Sequence, residues 1–184
     1  MRRPLIFALV LAMGGCATTN LSTDYNPNAD FSAYNTFAWL EDPGTVDDAR
    51  LTGDLVSRRI QLAIETAMIE RGFNKVDAPE DASVAVGYHA SLSDRVDVTT
   101  MQTYNGYWGR HGWGYPGYWG TSHTTTNEYT EGTLIVDVFD TSTRELAWRG
   151  VAEGRVRDAA EPTERQERLT DILRDLLSDF PPGR

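Results

Sequence analysis

Glu131 to Gly150 reads EGTLIVDVFDTSTRELAWRG, and its reading decides the fold. Thr133 to Phe139 is the most apolar strand-like run in the chain. Leu134, Val136 and Val138 alternate with other residues and so share one face. Asp140 to Thr143 supplies turn chemistry. Leu146, Trp148 and Ala152 then fall on one face of a returning strand. Gly150 on that face leaves room for a close neighbour, a helix or the Trp148 ring. The two strands predict a hairpin at the centre of a sheet.

Outward from the hairpin, the next elements declare themselves by period. On the N-terminal side, Val84, Val86, Tyr88, Ala90 and Leu92 alternate as a half-buried strand. Val96 and Val98 continue the parity. One straight strand of that length runs far past the usual five or six residues, so a break or bulge is expected near Ser93-Asp94. On the C-terminal side, Pro162 to Gln166 reads as a helix start, with Thr163 capping and Gln166 reaching back. Leu169, Ile172, Leu173, Leu176, Leu177 and Phe180 follow at spacings of three and four. Pro181-Pro182 ends that pattern.

Further upstream, residues 47–71 are expected to be helical. Leu51, Leu55, Ile60, Ala63, Ile64 and Ala67 recur near one face, and Arg58, Glu65 and Arg71 fill the other. Gly72 stands where a left-handed C-cap is wanted, and Phe73 beyond it can pack back. Before this helix, Asn26-Pro27-Asn28 marks a turn. Phe31, Tyr34, Phe37 and Trp39 are core candidates. Asn35 to Leu40 reads as a strand that Asp42-Pro43-Gly44 ends.

The expected architecture is therefore α+β, a two-layer sandwich. An about four-stranded, mostly antiparallel sheet carries two helices on one face, in the order β-α-β-β-β-α. Residues 23–184 form one domain, and 104–120 is a glycine- and aromatic-rich hairpin loop.

The first residues belong to a different class. Arg2 and Arg3 precede the apolar run Leu5 to Met13, which is too short to span a bilayer that needs about 20 apolar residues. Residues 1–15 read as a secretory signal. Met13-Gly14-Gly15-Cys16 resembles the lipobox of bacterial lipoproteins. That resemblance implies cleavage between Gly15 and Cys16, acylation of Cys16 with palmitate among the acyl groups, and outer-membrane sorting, since Ala17 is not aspartate. Residues 16–22 would be the lipidated N-terminus and a short tether. Cys16 is the only cysteine, so no internal disulfide can form. The chain has 27 acidic and 17 basic residues, a net charge of −10. Removal of residues 1–15 makes it more negative. Such a chain repels nucleic acid, whose binding rests on phosphate neutralisation.

Several of these segments together resemble a family of bacterial envelope lipoproteins known as domain of unknown function 4136. They are YNTFAW ending at Trp39, ERGF at Glu70 to Phe73, DASVAVGY at Asp81 to Tyr88, the hairpin quoted above, and Phe180-Pro181-Pro182. The family has no established activity, so the resemblance implies no site residues.

Tyr104 to Gly120 reads YNGYWGRHGWGYPGYWG, with seven aromatics and six glycines among 17 residues. Tyr104, Tyr107, Trp108, Trp113, Tyr115, Tyr118 and Trp119 exceed the apolar patch a monomer usually exposes. Three readings stand: a low-complexity tip collapsed on its own sheet, a contact surface for an envelope protein or glycan, or a segment at the lipid interface.

For chemistry, the histidines are His89, His111 and His123. Glu128 and Glu131 lie near the last two in sequence, but no metal-ligand spacing joins them. Asp137 and Asp140 have opposite parity, which suits a strand residue and a turn residue better than a carboxylate pair. Arg149 and Arg155 would line the outer sheet face and pair with acids. No phosphate-binding loop, dinucleotide fingerprint or serine elbow is present. The expectation is a non-enzymatic, periplasm-facing binding or assembly accessory of the outer membrane, attached through lipid, with no cofactor and no metal. The alternatives are a cryptic envelope hydrolase using the loop histidines and a structural envelope-integrity protein acting through the aromatic loop.

Overall fold

The structure, a computed structural model, describes residues 19–47, 54–104, 120–156 and 161–183, with the backbone alone at 101–104 and 120–123. Cys16, Leu51 and residues 105–119 lie outside the described residues.

The strands are β1 (Asn20–Tyr25), β2 (Thr36–Val46), β3 (Asn74–Lys75), β4 (Val84–Tyr104), β5 (Gly120–Asp140) and β6 (Leu146–Arg155), and the helices are α1 (Asp54–Glu70) and α2 (Pro162–Leu177). They form one sheet in the order β1-β6-β5-β4-β2-β3. The α+β class and the two helices stand. The sheet has six strands where about four were expected, and it is mixed: β2 runs parallel to both β3 and β4. The physical reason is α1. A helix between β2 and β4 carries the chain back to the same end of the sheet, which makes the two strands parallel.

The missed strands give little signal in the sequence. β1 begins at Asn20, inside the stretch read as tether, and only Leu21 of its six residues is not exposed. It pairs antiparallel along β6, from Asn20 opposite Glu153 to Tyr25 opposite Trp148. An edge strand held by backbone bonds needs no apolar alternation. β3 is two residues long.

The quoted hairpin forms as read. β5 and β6 are interior strands, with Val138 opposite Trp148 and Val136 opposite Gly150. One sheet face carries Val84, Val86, Tyr88, Val136, Val138 and Trp148, and it packs against Ile60, Ala63, Ile64, Met68, Leu173, Leu176 and Leu177 of both helices. Gly150 is the close-approach point. A Cβ there would stand 2.3 Å from the Trp148 ring and 2.9 Å from Leu176 Cγ. Phe180 joins the layers, stacked on Phe73 at 5.2 Å and tilted against Trp148 at 5.4 Å. Trp148 Nε1 is buried with no hydrogen-bond partner among the described residues, a cost of about 1–3 kcal/mol set against burial of the ring.

Four local expectations are corrected. First, β2 does not stop at Asp42-Pro43-Gly44. Its register with β4 shifts between Trp39 and Gly44 and then resumes. Gly44 allows this because the Tyr88 ring lies where its Cβ would be, 2.3 Å from Tyr88 Cζ. Second, Asp47, expected at the start of the helix, is bonded to Ala90 on the sheet, and α1 is described from Asp54; residues 48–53 lie outside the described residues. Leu55, expected in the core, is 69% exposed. Third, the start of α2 has no capping box. Pro162 occupies the first helical position and Glu161 makes no side-chain cap. Proline fits there because that position needs no N–H, and Thr163 falls inside the first turn. Fourth, no break occurs near Ser93-Asp94. β4 and β5 pair in one register from Val84 opposite Asp140 to Tyr104 opposite Gly120.

The end of α1 does match. Gly72 has φ +89°, and Phe73 N donates to Met68 O at 3.1 Å, a left-handed cap with Phe73 packed back into the core.

Candidate functional site

The unbroken β4–β5 pairing builds the first functional feature. Only Val84–Ala90 of β4 touches β2, and only Glu131–Phe139 of β5 touches β6. Beyond them, Asp94–Tyr104 and Gly120–Thr130 continue as a two-stranded arm. Eleven residues at about 3.4 Å each give it a reach of roughly 37 Å. β-branched residues favour such a ribbon. Thr99 lies opposite Thr125 and Thr100 opposite Thr124, cross-strand pairs of the stabilising kind. Val96 and Val98 on the arm are each 60% exposed.

The base of the arm is fastened by charge. Arg95 Nε donates to Glu131 at 2.8 Å, and Arg155 reaches Asp97 at 3.1 Å. The Arg155 guanidinium also lies over the Tyr129 ring, 3.8 Å from its centroid. Tyr104, from the aromatic set, is the last residue of β4. Tyr107, Trp108, Trp113, Tyr115, Tyr118 and Trp119 lie outside the described residues, in the segment that joins the arm's two strands.

A second feature was not read from the sequence. At the end of the sheet where the arm departs, the layers part into a cleft of about 330 Å³. Two cross-sheet rows form its floor: Ala90, Leu134 and Ala152, then Leu92, Gly132 and Gly154. These rows are smaller than the next ones inward, where Tyr88 and Trp148 fill the space. Val56 and Ile60 of α1 and Leu169 and Ile172 of α2 make the apolar walls, and Arg59, Arg165 and Arg168 stand at the rim with Glu164. The only hint in the sequence was the pair of glycines on a core-facing parity. Neither strand alone shows that Gly132 and Gly154 lie side by side.

The histidines do not converge among the described residues. His89 is on the outer sheet face, half-buried, and its Nε2 lies 3.5 Å from Oδ2 of the exposed Asp47. His123 pairs by backbone with Met101 on the arm. His111 lies outside the described residues. No group of three or more His, Cys, Asp or Glu among the described residues could hold a metal. No helix among them is long and apolar enough to cross a membrane.

Asp137 and Asp140 are separate, as their parity implied. Asp137 takes a bidentate pair from Arg149 at 2.6 and 2.7 Å. Asp140 Oδ1 accepts from Ser142 N, Ser142 Oγ and Thr143 N, and its Oδ2 accepts from Tyr34 Oη. Desolvation works to raise this carboxyl. The hydrogen bonds, first from the Ser142 and Tyr34 side chains, outweigh it and hold the group at about 2. Such a carboxylate is committed to the turn and is a poor general base.

A family model for a domain of unknown function, DUF4136, matches residues 21–182. Among solved structures, the chain is similar to a DUF4136 family protein from Bacteroides thetaiotaomicron at 17% identity and TM-score 0.53, covering 89% of this chain and 96% of that one. It is also similar to a PDZ domain protein from Parabacteroides distasonis at 12% identity and TM-score 0.54, over 89% of this chain. Of that longer protein it spans 36%. A PelC dodecamer from Paraburkholderia phytofirmans matches at 10% identity and TM-score 0.51, over 91% of this chain and 100% of that one. At these identities the likeness is one of fold. No curated protein matches.

Proposed function

The chain belongs to the DUF4136 family, and from that premise we propose that it is a lipid-anchored protein of the cell envelope. In this reading it is a non-enzymatic binding or assembly accessory, held by Cys16 to the outer membrane and facing the periplasm. The observation that carries the binding role is the arm. Twenty-one consecutive pairs fix β4 against β5, and residues 93–100 and 124–128 of that ribbon are exposed. A domain gains nothing in core stability from such an extension. In this reading, aromatic side chains of the segment that joins the arm's two strands serve as anchors for an envelope protein or glycan.

The anchor rests on Arg2, Arg3, the apolar run to Met13 and the Gly15-Cys16 junction. Its test is cell fractionation of Cys16→Ser. Release into the soluble fraction is expected, and retention in the membrane would overturn the anchor. The arm is tested separately, by crosslinking in cells from positions 107 and 118. A discrete crosslinked partner supports the contact role. Crosslinks only within the chain, back to its own sheet, would make the segment a collapsed tip.

A further inference from the structure

The cleft between the helices and the arm end of the sheet has the composition of a site for an amphiphile. Its floor and walls are aliphatic: Ala90, Leu92, Leu134, Ala152, Leu169 and Ile172. Its volume of about 330 Å³ falls at the small end of the range of ligand pockets. Gly132 and Gly154 are directly paired in the floor, with Val156 packed against the first and Thr19 against the second. A Cβ on Gly132 would stand 3.0 Å from Val156 Cγ2 and 3.5 Å from Leu92 Cδ2, so this row of the floor has little room for a larger residue.

The rim is the second, independent observation. The chain carries ten more acids than bases, and among the described residues four arginines pair with acids: Arg95 with Glu131, Arg149 with Asp137, Arg155 with Asp97, Arg174 with Glu70. Of these, Arg155 also lines the cleft, where it is paired with Asp97. The ion pairs among the described residues do not include Arg59, Arg165 or Arg168, although Glu164 shares the rim. Arg59 and Arg168 are half-buried and Arg165 is exposed. Three guanidinium groups around an apolar cleft, in an acidic chain, complement a ligand with a negative head and an apolar tail.

We propose that this cleft binds a single acyl chain bearing an anionic head, the tail lying over Leu92, Gly132 and Leu134 and the head meeting Arg59, Arg165 and Arg168. The proposal does not depend on Cys16 or on the arm. Recognition is non-covalent. Aliphatic burial supplies the affinity, and the arginines choose an anionic head over a neutral one.

The test uses the full chain carrying Cys16→Ser, titrated calorimetrically with dodecyl phosphate below its micelle concentration. Inorganic phosphate and dodecyl maltoside serve as head-only and neutral-head probes. Saturable one-to-one binding of dodecyl phosphate is expected, with inorganic phosphate at least a hundredfold weaker. The double variant Arg165→Gln/Arg168→Gln alters only rim side chains and leaves the core intact. It is expected to weaken dodecyl phosphate about tenfold while leaving dodecyl maltoside unchanged. Butyl and octyl phosphates should bind progressively more weakly than dodecyl phosphate. Four results would each overturn the proposal: no binding, equal binding of the neutral-head probe, equal binding of inorganic phosphate, or no effect of the arginine variant. Binding to the Cys16→Ser chain but not to the acylated chain would also overturn it, by assigning the cleft to the chain's own lipid.

Discussion

Tyr34 Oη donates a 2.8 Å hydrogen bond to Asp140 Oδ2 across 106 residues of chain. The bond ties the segment entering β2 to the turn of the β5–β6 hairpin. Tyr34 is 2% exposed. Burial first, and then the bond and charge of Asp140, push its phenol above the ordinary tyrosine range. Tyr34→Phe removes the donor and keeps the ring, which packs edge-on against Phe31 at 5.5 Å. The expected loss is about 1–2 kcal/mol in urea unfolding, and a midpoint equal to wild type would show that the bond contributes nothing.

The same bond sets an acid dependence. Asp140 is held at about 2 in the folded state, below its ordinary 3.8. A depressed folded value means that the unfolded chain binds the proton first. The stabilisation is therefore complete above about pH 4 and is lost as pH falls toward 2. Tyr34→Phe should move the Asp140 titration upward, read by carboxyl NMR. It should also flatten the part of the stability profile between those values. An unchanged titration would mean that Ser142 and Thr143 alone hold the carboxylate.

Gly150→Val should be among the most damaging single changes to the sheet. Its Cβ would fall 2.3 Å from Trp148 Cη2 and 2.9 Å from Leu176 Cγ, and Trp148 is 1% exposed with no room to retreat. The expected cost is about 3 kcal/mol, at the upper end for overpacking. Thermal unfolding with tryptophan fluorescence reads both the loss and the displaced ring.

Replacing residues 105–119 with Asn-Gly should leave the domain folded. Tyr104 and Gly120 are already paired, and a two-residue turn of this type suits the twist of a ribbon. The melting temperature should shift by no more than a few degrees, because the core of the domain lies in the other half of β4 and β5. A collapse of the melting transition would give the aromatic segment a structural role in the fold.

Leu55, Leu62 and Ile69 recur every seven residues along the outer side of α1 and are 69%, 57% and 55% exposed. Leu62→Lys should change stability by less than about 0.5 kcal/mol. A larger loss in urea unfolding would show that this stripe is covered in the intact protein.

Helix periodicity was well written in the sequence. Leu173, Leu176, Leu177 and Phe180 form the buried face of α2 and its exit, because a 3.6-residue period survives without knowledge of the partner. Gly72 and Phe73 foretold the end of α1 for the same local reason. Leu55 did not follow its period. It lies with Leu62 and Ile69 on the outer side of α1, while its neighbour Val56 packs against the core.

The candidate cleft was not legible, because its parts come from five elements. Gly132 and Gly154 are 22 positions apart in sequence and direct neighbours across β5 and β6. Arg59 and Arg168 belong to different helices. The arm was half legible: the parity of Val96 and Val98 continued the strand correctly. The expected break did not occur, since a ribbon that leaves the sheet is not limited by the width of the domain.

By itself, the sequence determined the α+β class, the β5–β6 hairpin and the two amphipathic helices, which depend on local period and turn chemistry, and the family, through the resemblance of its segments. Only the tertiary structure decided the mixed six-stranded order, the unbroken arm and the cleft. Strand pairing joins residues by backbone hydrogen bonds that carry no side-chain signature, so β1 and β3 enter the sheet unannounced. A cleft is a property of which small residues come to lie side by side, and that is fixed only when register is.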